Sequence, residues 1–226
     1  IWTKARKPYL TEWESEHIGD WDAAIKGSSA LREAVLSQLH DEIAHYTNKD
    51  NGAILFDMSK FYDNIDIVEL CTQAKDTEYP PVLLALGLQM HMGLRGIKAY
   101  NTHPGGRCPT NGIIAGCTQS TSFSKILLHK LLDHYYLLWC QQQVIHERHL
   151  RGFIDDIRTS VRSRKGDAVS TLTQIGIGIG NGLKALKCKI SEKTVVLGST
   201  SSIRDAVYKA LKRQGLKHHQ VPIRGT

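Results

Sequence analysis

Two adjacent carboxylates, Asp155 and Asp156, lie within Arg151-Gly152-Phe153-Ile154-Asp155-Asp156-Ile157. Phe153, Ile154 and Ile157 favour a strand, and Gly152 permits a turn or a close approach ahead of it. Neighbouring carboxylates repel each other and resist burial unless positive charge sits beside them. A divalent cation at the tip of an apolar hairpin would relieve that conflict; a plain polar turn is the alternative, since Asp is a common turn residue. A second stretch, Gly52-Ala53-Ile54-Leu55-Phe56-Asp57-Met58-Ser59-Lys60-Phe61-Tyr62-Asp63-Asn64-Ile65-Asp66, reads as a buried strand ending on Asp57. Two strands that deliver carboxylates to one spot make the arrangement a two-metal site needs.

Asp57 through Asp66 resembles the first conserved block of reverse transcriptases, especially those of group II introns and non-LTR retrotransposons. There an aspartate precedes a Phe-aromatic-Asp-x-Ile segment, here Phe61-Tyr62-Asp63-Asn64-Ile65. Phe153-Ile154-Asp155-Asp156 resembles the third block, aromatic-x-Asp-Asp. Between them, Gly112-Ile113-Ile114-Ala115-Gly116-Cys117-Thr118-Gln119-Ser120 resembles the second, a glycine loop leading into a helix. Gly182-Leu183 and Lys193-Thr194-Val195-Val196-Leu197-Gly198 resemble the fourth. The blocks stand in the family's order over roughly residues 50–200.

The resemblance implies RNA-directed DNA synthesis, the joining of a primer 3′-hydroxyl to the α-phosphate of a dNTP. Asp57, Asp155 and Asp156 are then the catalytic carboxylates, and with the Met58 carbonyl they would ligate two Mg²⁺ ions, or Mn²⁺ in their place. Tyr62 would lie under the sugar and exclude a 2′-hydroxyl, the alternative being a core aromatic. Lys193 would lie near the leaving pyrophosphate and serve as general acid, or else be a surface lysine. The family's Pro-Gln-Gly is altered: Gly116 and Ser120 are kept, but Ala115 replaces the glutamine and Thr121 the later proline. Gln119 is the candidate to take over a contact to the base pair. Asp63 and Asp66 read as helix caps. The implied partners are an RNA template, a DNA primer and dNTP, with further domains of a longer polyprotein.

These residues need elements to hold them. The spacing predicts a helix over Ala30–Tyr46, entered through Gly27-Ser28-Ser29, with Leu31, Val35, Leu39 and Ile43 packing as an apolar stripe. A strand Ala53–Asp57 follows, then a helix to about Ala74, another over Val82–Met92 after Pro80-Pro81, and a long buried one over Ser120–Val144. Residues 93–111, with Arg95, Lys98 and Arg107, read as a hairpin or extended loop facing nucleic acid, or as a solvated connection. A helix starts over Asp167–Leu172, weakened by Gly176, Gly178, Gly180 and Gly182. Lys187–Leu197 reads as one or two strands, and Ser202–Gln214 as a helix capped by Gly215. Residues 1–12, with Lys4, Arg6 and Lys7, read as a basic arm that contacts phosphate, or as a frayed terminus; Trp13 and Trp21 read as anchors.

The expected fold class is α+β, a polymerase-palm-like antiparallel sheet with helices on one face and partial helical fingers. Residues 1–226 would form one domain: fingers elements roughly at 1–50 and 66–115, palm at 51–65 and 116–200, and the start of a thumb connection at 201–226. The net charge of +7 suits a polyanion partner, or is simply a basic surface. No run of eighteen apolar residues exists, so no membrane span is expected. Five scattered cysteines suit reduced thiols in an intracellular compartment, nucleus or cytoplasm. The opening without Met suggests an excerpt of a longer chain. His129 with His134, and His146 with His149, lack zinc-site spacing. Two other readings remain: a non-catalytic nucleic-acid-binding remnant, and another palm-fold nucleotidyltransferase such as an RNA-directed RNA polymerase.

Overall fold

The computed structural model describes residues 2–96, 105–139, 147–164, 167–216 and the backbone of 219–220. In chain order the elements are α1 (Trp2–Glu16), α2 (Ala30–Tyr46), β1 (Asp50–Phe56), α3 (Phe61–Asn64), α4 (Ile67–Asp76), α5 (Pro81–Met92), α6 (Ser120–Trp139), β2 (Glu147–Phe153), β3 (Asp156–Ser163), α7 (Ala168–Ala185), β4 (Val195–Gly198), α8 (Ser201–Arg213) and β5 (His219–Gln220). They form two compact units, residues 19–59 with 131–226, and residues 1–18 with 60–130. Residues 19–50 group with the sheet, and α6 is divided between the units after Lys130.

The first of these units holds the sheet, in the order β2-β3-β1-β4-β5. Neighbours among its first four strands are antiparallel, and β5 runs parallel to β4. Ile54 and Val196 face one side with no exposed surface, and α7 and α8 cover that side through Leu172, Val207 and Leu211. The helix α7 runs straight through the four glycines expected to weaken it. Each is a point of close approach. A Cβ on Gly176 would lie 2.4 Å from Ile54 Cδ1, and one on Gly182 would lie 2.1 Å from Leu131 Cδ1. Packing of this face outweighs the roughly 1 kcal/mol that each glycine costs in propensity.

The helix α2 has its expected start, with the Ser29 hydroxyl accepting from Arg32 N–H at 3.1 Å. It lies across the other side of the sheet with its apolar stripe turned outward. Leu31, Val35, Leu39 and Ile43 are all exposed, Leu31 at 75%. The sheet face beneath carries Arg151, Arg158, Arg162 and His149, so charge sets the helix's orientation. Asp41 accepts from Arg158 at 3.0 Å and from Asn51 at 2.8 Å, and His40 stacks on His149. Glu33 lies 3.7 Å from Arg151.

The second unit is helical. Trp13 and Arg6 of α1 are buried, so the expected N-terminal arm is an ordered helix. The Trp13 indole donates to the Thr77 carbonyl at 2.7 Å and packs edge-on against Tyr79. Asp66 caps α4 by accepting from Glu69 N–H at 2.9 Å, and Pro81 opens α5. Phe123, Ile126, Leu127 and Leu128 in the first half of α6 complete this core. Arg95 and Arg107 exchange backbone hydrogen bonds, closing the base of the 93–111 loop. Lys98, His146, the expected end of α6 at Val144, and the last residues of the thumb connection, 221–226, lie outside the described residues.

Candidate catalytic site

The site grows from the β2–β3 hairpin. Phe153 pairs with Asp156 across a two-residue loop, Ile154-Asp155. Ile154 has φ 60°, a positive value at the first loop position, as in a type II′ turn. A β-branched residue there is strained, at a cost of about 1–3 kcal/mol, and such strain gathers at functional sites. Gly152, just before the loop, is a point of close approach. Its N–H donates to the Trp21 carbonyl at 2.9 Å, and a Cβ would lie 3.2 Å from the Trp21 ring.

The strand β1 runs antiparallel to β3 with Phe56 opposite Ile157. Continued by one pair, that register sets Asp57 opposite Asp156, where facing side chains share one side of the sheet. The electrostatics report the same closeness. Burial raises the Asp155 carboxyl above its ordinary range, its own backbone N–H opposes this, and the Asp57 charge raises it further. The Asp156 carboxyl is raised by burial, then by Asp155 and by Asp57. The three carboxylates are thus brought into one another's field.

These carboxylates and a main-chain carbonyl are hard oxygen donors of the kind Mg²⁺ prefers. Among the described residues, no group of three or more His, Cys, Asp or Glu side chains stands ready to hold a metal ion. Mg²⁺ does not require such a cage: it keeps waters and takes one or two carboxylates together with substrate phosphates. The residues present therefore fit that ion.

Past Phe56, β1 is held on its β4 side. The Asp57 carbonyl accepts from Ser191 N–H at 2.8 Å, and Ser59 N–H donates to the Lys189 carbonyl at 2.7 Å. Met58 pairs with Ile190 between those bonds, so its own N–H and carbonyl turn to the opposite side, that of β3. Lys193 is exposed beside this segment. It lines a cleft of about 750 Å³ with Ser59, Lys184, Lys189, Cys188 and Ser191.

The other three expected residues belong to the helical unit. Tyr62 is half-buried and meets Phe61 edge-on. Its carbonyl accepts from Ile113 N–H, and Gly112 N–H donates to the Ile65 carbonyl, both at 2.8 Å, so the Tyr62 turn and the glycine loop form one piece. Gly112 is required: φ is +81°, and a Cβ would stand 2.6 Å from the Asp63 carbonyl oxygen. Gly116 is exposed at φ +79°. Gln119 has no exposed surface. Its carbonyl oxygen accepts from Arg6 at 2.6 Å and its amide donates to the Leu83 carbonyl at 2.9 Å, so as placed it presents nothing to a base pair.

Three residues with positioning contacts were not expected as site residues, although Thr194 lies in the fourth block. Arg6 holds Gln119 and Thr118. His91, fully buried, accepts from Ile114 N–H at 2.9 Å and so braces the glycine loop; burial lowers its pKa first, with Arg95 and Arg6 adding to the effect. Thr194 contacts the Asp57 backbone. A polar residue inside an apolar helix was the available hint for His91; for the others the partners are over a hundred positions away in sequence.

A family model described as reverse transcriptase (RNA-dependent DNA polymerase) matches residues 15–212. No curated protein matches the chain in sequence. Among solved structures, telomerase from Candida tropicalis in complex with the TWJ fragment of telomeric RNA is similar, with a TM-score of 0.59 and 13% identity. The match covers 87% of this chain and 33% of that one. The apo enzyme of the same organism, truncated from its C-terminal domain, gives a TM-score of 0.61 at 13% identity, over 88% of this chain and 40% of that one. The chain thus spans about a third to two-fifths of the telomerase chains it matches, and at this identity the likeness concerns the fold. With the family model reaching from α1 to α8, the chain belongs to the reverse transcriptase (RNA-dependent DNA polymerase) family.

Proposed function

We propose that this chain is the polymerase domain of a retroelement-derived reverse transcriptase, adding dNTPs to a primer 3′-hydroxyl on an RNA template. The observation that carries the reading is the β1–β3 register, which continued by one pair sets Asp57 opposite Asp156 beside the Asp155 loop, with Asp155 and Asp156 both raised in the field of Asp57. Two carboxylates that resist ionisation beside a third are an electrostatic conflict unless cationic charge joins them. Asp57, Asp155, Asp156 and the Met58 carbonyl would hold two Mg²⁺ ions, which when bound supply charge neutralisation for the attacking and leaving oxygens. Asp57 and Asp155 would be the principal ligands, with Asp156 assisting. Lys193 donates a proton to the departing pyrophosphate oxygen. Tyr62 supports the sugar and discriminates against a 2′-hydroxyl; Gly116 leaves the loop open to the nascent base pair. The basic composition, +7 overall, suits a template and primer rich in phosphate.

The test is dNTP incorporation on a primed RNA template with Mg²⁺, comparing the chain with Asp155→Ala and Tyr62→Ala. Asp155→Ala abolishes incorporation, and Tyr62→Ala admits ribonucleotides. Equal incorporation by wild type and Asp155→Ala rejects the metal assignment. A second reading, a non-catalytic nucleic-acid-binding remnant, is favoured by the burial of Gln119 and the replacement of the family's glutamine by Ala115. It requires salt-dependent binding without extension.

A further inference from the structure

The register beside Asp57 contains a break. Pairing of β1 with β4 sets Leu55 opposite Val195, and continuing it would set Glu192 opposite Met58. Ile190 stands there instead. The partner segment therefore carries two extra residues next to Asp57, an extended form of the bulges that recur beside active sites. The extra length is taken up by a turn: Thr194 N–H donates to the Ser191 carbonyl at 3.1 Å, and Lys193 N–H to the Ser191 hydroxyl at 3.1 Å. The turn lifts Glu192 and Lys193 to the surface.

Such a bulge interrupts the ladder, and a buried backbone group left unpaired there is costly. Here the Asp57 carbonyl keeps a backbone partner, Ser191 N–H, and one side chain supplies the rest. The Thr194 hydroxyl accepts from Asp57 N–H at 3.1 Å and donates back to the Asp57 carbonyl at 3.3 Å. Thr194 is 2% exposed, so water does not compete for these bonds. A single hydroxyl thus grips both polar groups of one residue, and that residue is the carboxylate bearer at the strand's end.

We propose that Thr194 is a positioning residue for nucleotide addition: its hydroxyl fixes the Asp57 backbone, and so the direction of the carboxylate, and ties it to the turn that bears Lys193. The proposal rests on the polymerase reading above. The requirement is for a group that accepts and donates at one point. Valine has the shape of threonine but does neither; serine does both but lacks the methyl.

The experiment compares the whole chain with Thr194→Val and Thr194→Ser. Amide exchange at Asp57, followed by NMR, rises about tenfold or more in Thr194→Val, returns in Thr194→Ser, and is unchanged at Ile54 in both. The turnover number for dNTP addition falls about 10- to 100-fold in Thr194→Val, as a misplaced reacting group would produce. KM for dNTP stays within about twofold, the signature of a lost transition-state contact, and serine restores turnover. Unchanged Asp57 exchange in Thr194→Val overturns the clasp. Wild-type turnover in Thr194→Val, or a loss that serine does not restore, overturns the positioning role while leaving the polymerase reading intact. A wild-type chain that incorporates no dNTP overturns the polymerase reading and the positioning role with it, while exchange at Asp57 still reports whether the clasp exists.

Discussion

Gly112→Ala gives the sharpest test of how the Tyr62 turn and the glycine loop are joined. Two separate penalties meet at this residue. Its φ of +81° lies in the left-handed region, where a side chain costs about 1–2 kcal/mol. The new Cβ would also stand 2.6, 2.9 and 3.0 Å from the O, C and Cα of Asp63. Those atoms are backbone, so the loop and the turn must separate, as in overpacking, for about 1–3 kcal/mol more. The loss of unfolded-state freedom offsets about 0.4–1 kcal/mol. The net expectation is a destabilisation of about 1–5 kcal/mol, centred on about 3. Gly116→Ala is the control: φ is +79°, but nothing lies within 4 Å of the added carbon. It should cost about 0–1.6 kcal/mol on the same terms. Urea unfolding of both variants, with m-values compared, measures the difference. If Gly112→Ala costs no more than Gly116→Ala, the contact between loop and turn is not what makes the glycine necessary.

Asp57→Asn should lower the titration of both Asp155 and Asp156, because the Asp57 charge raises each of them; carboxyl-carbon NMR titration reads this, and unmoved curves reject the shared sheet face. Burial, then the neighbouring His40, Arg151 and Arg158 charges, push His149 down to about 4. His149 is therefore neutral when folded and protonates more easily when unfolded. Its contribution is whole above about pH 6.5 and is lost as pH falls toward 4, a loss of up to about 3 kcal/mol. His149→Leu should flatten the acid limb of a stability profile, and a limb of unchanged slope excludes this residue as its cause. Gly182→Ala would raise helix propensity by about 1 kcal/mol, yet the carbon would meet Leu131 Cδ1 at 2.1 Å. A lower melting temperature is expected, and a higher one would show that α7 has room there.

The sequence alone determined the local grammar. Ser29 and Asp66 cap their helices because a short side-chain oxygen satisfies a free N–H within three residues. The Asp155-Asp156 hairpin and the strand before Asp57 follow from period and turn chemistry. What depended on partners distant in the chain was settled only in three dimensions. The α2 stripe looked like a core face by spacing, but the arginines of β2 and β3 drew the helix's acidic side inward. The α7 glycines looked like breakers, but Ile54 and Leu131 occupy the space their side chains would take. Gln119 looked available to a base, but Arg6, far upstream, holds it in the interior. Periodicity measures how apolar a face is; it carries no record of which surface lies opposite. That opposing surface decided the fate of each of these residues, and it set Thr194 against Asp57.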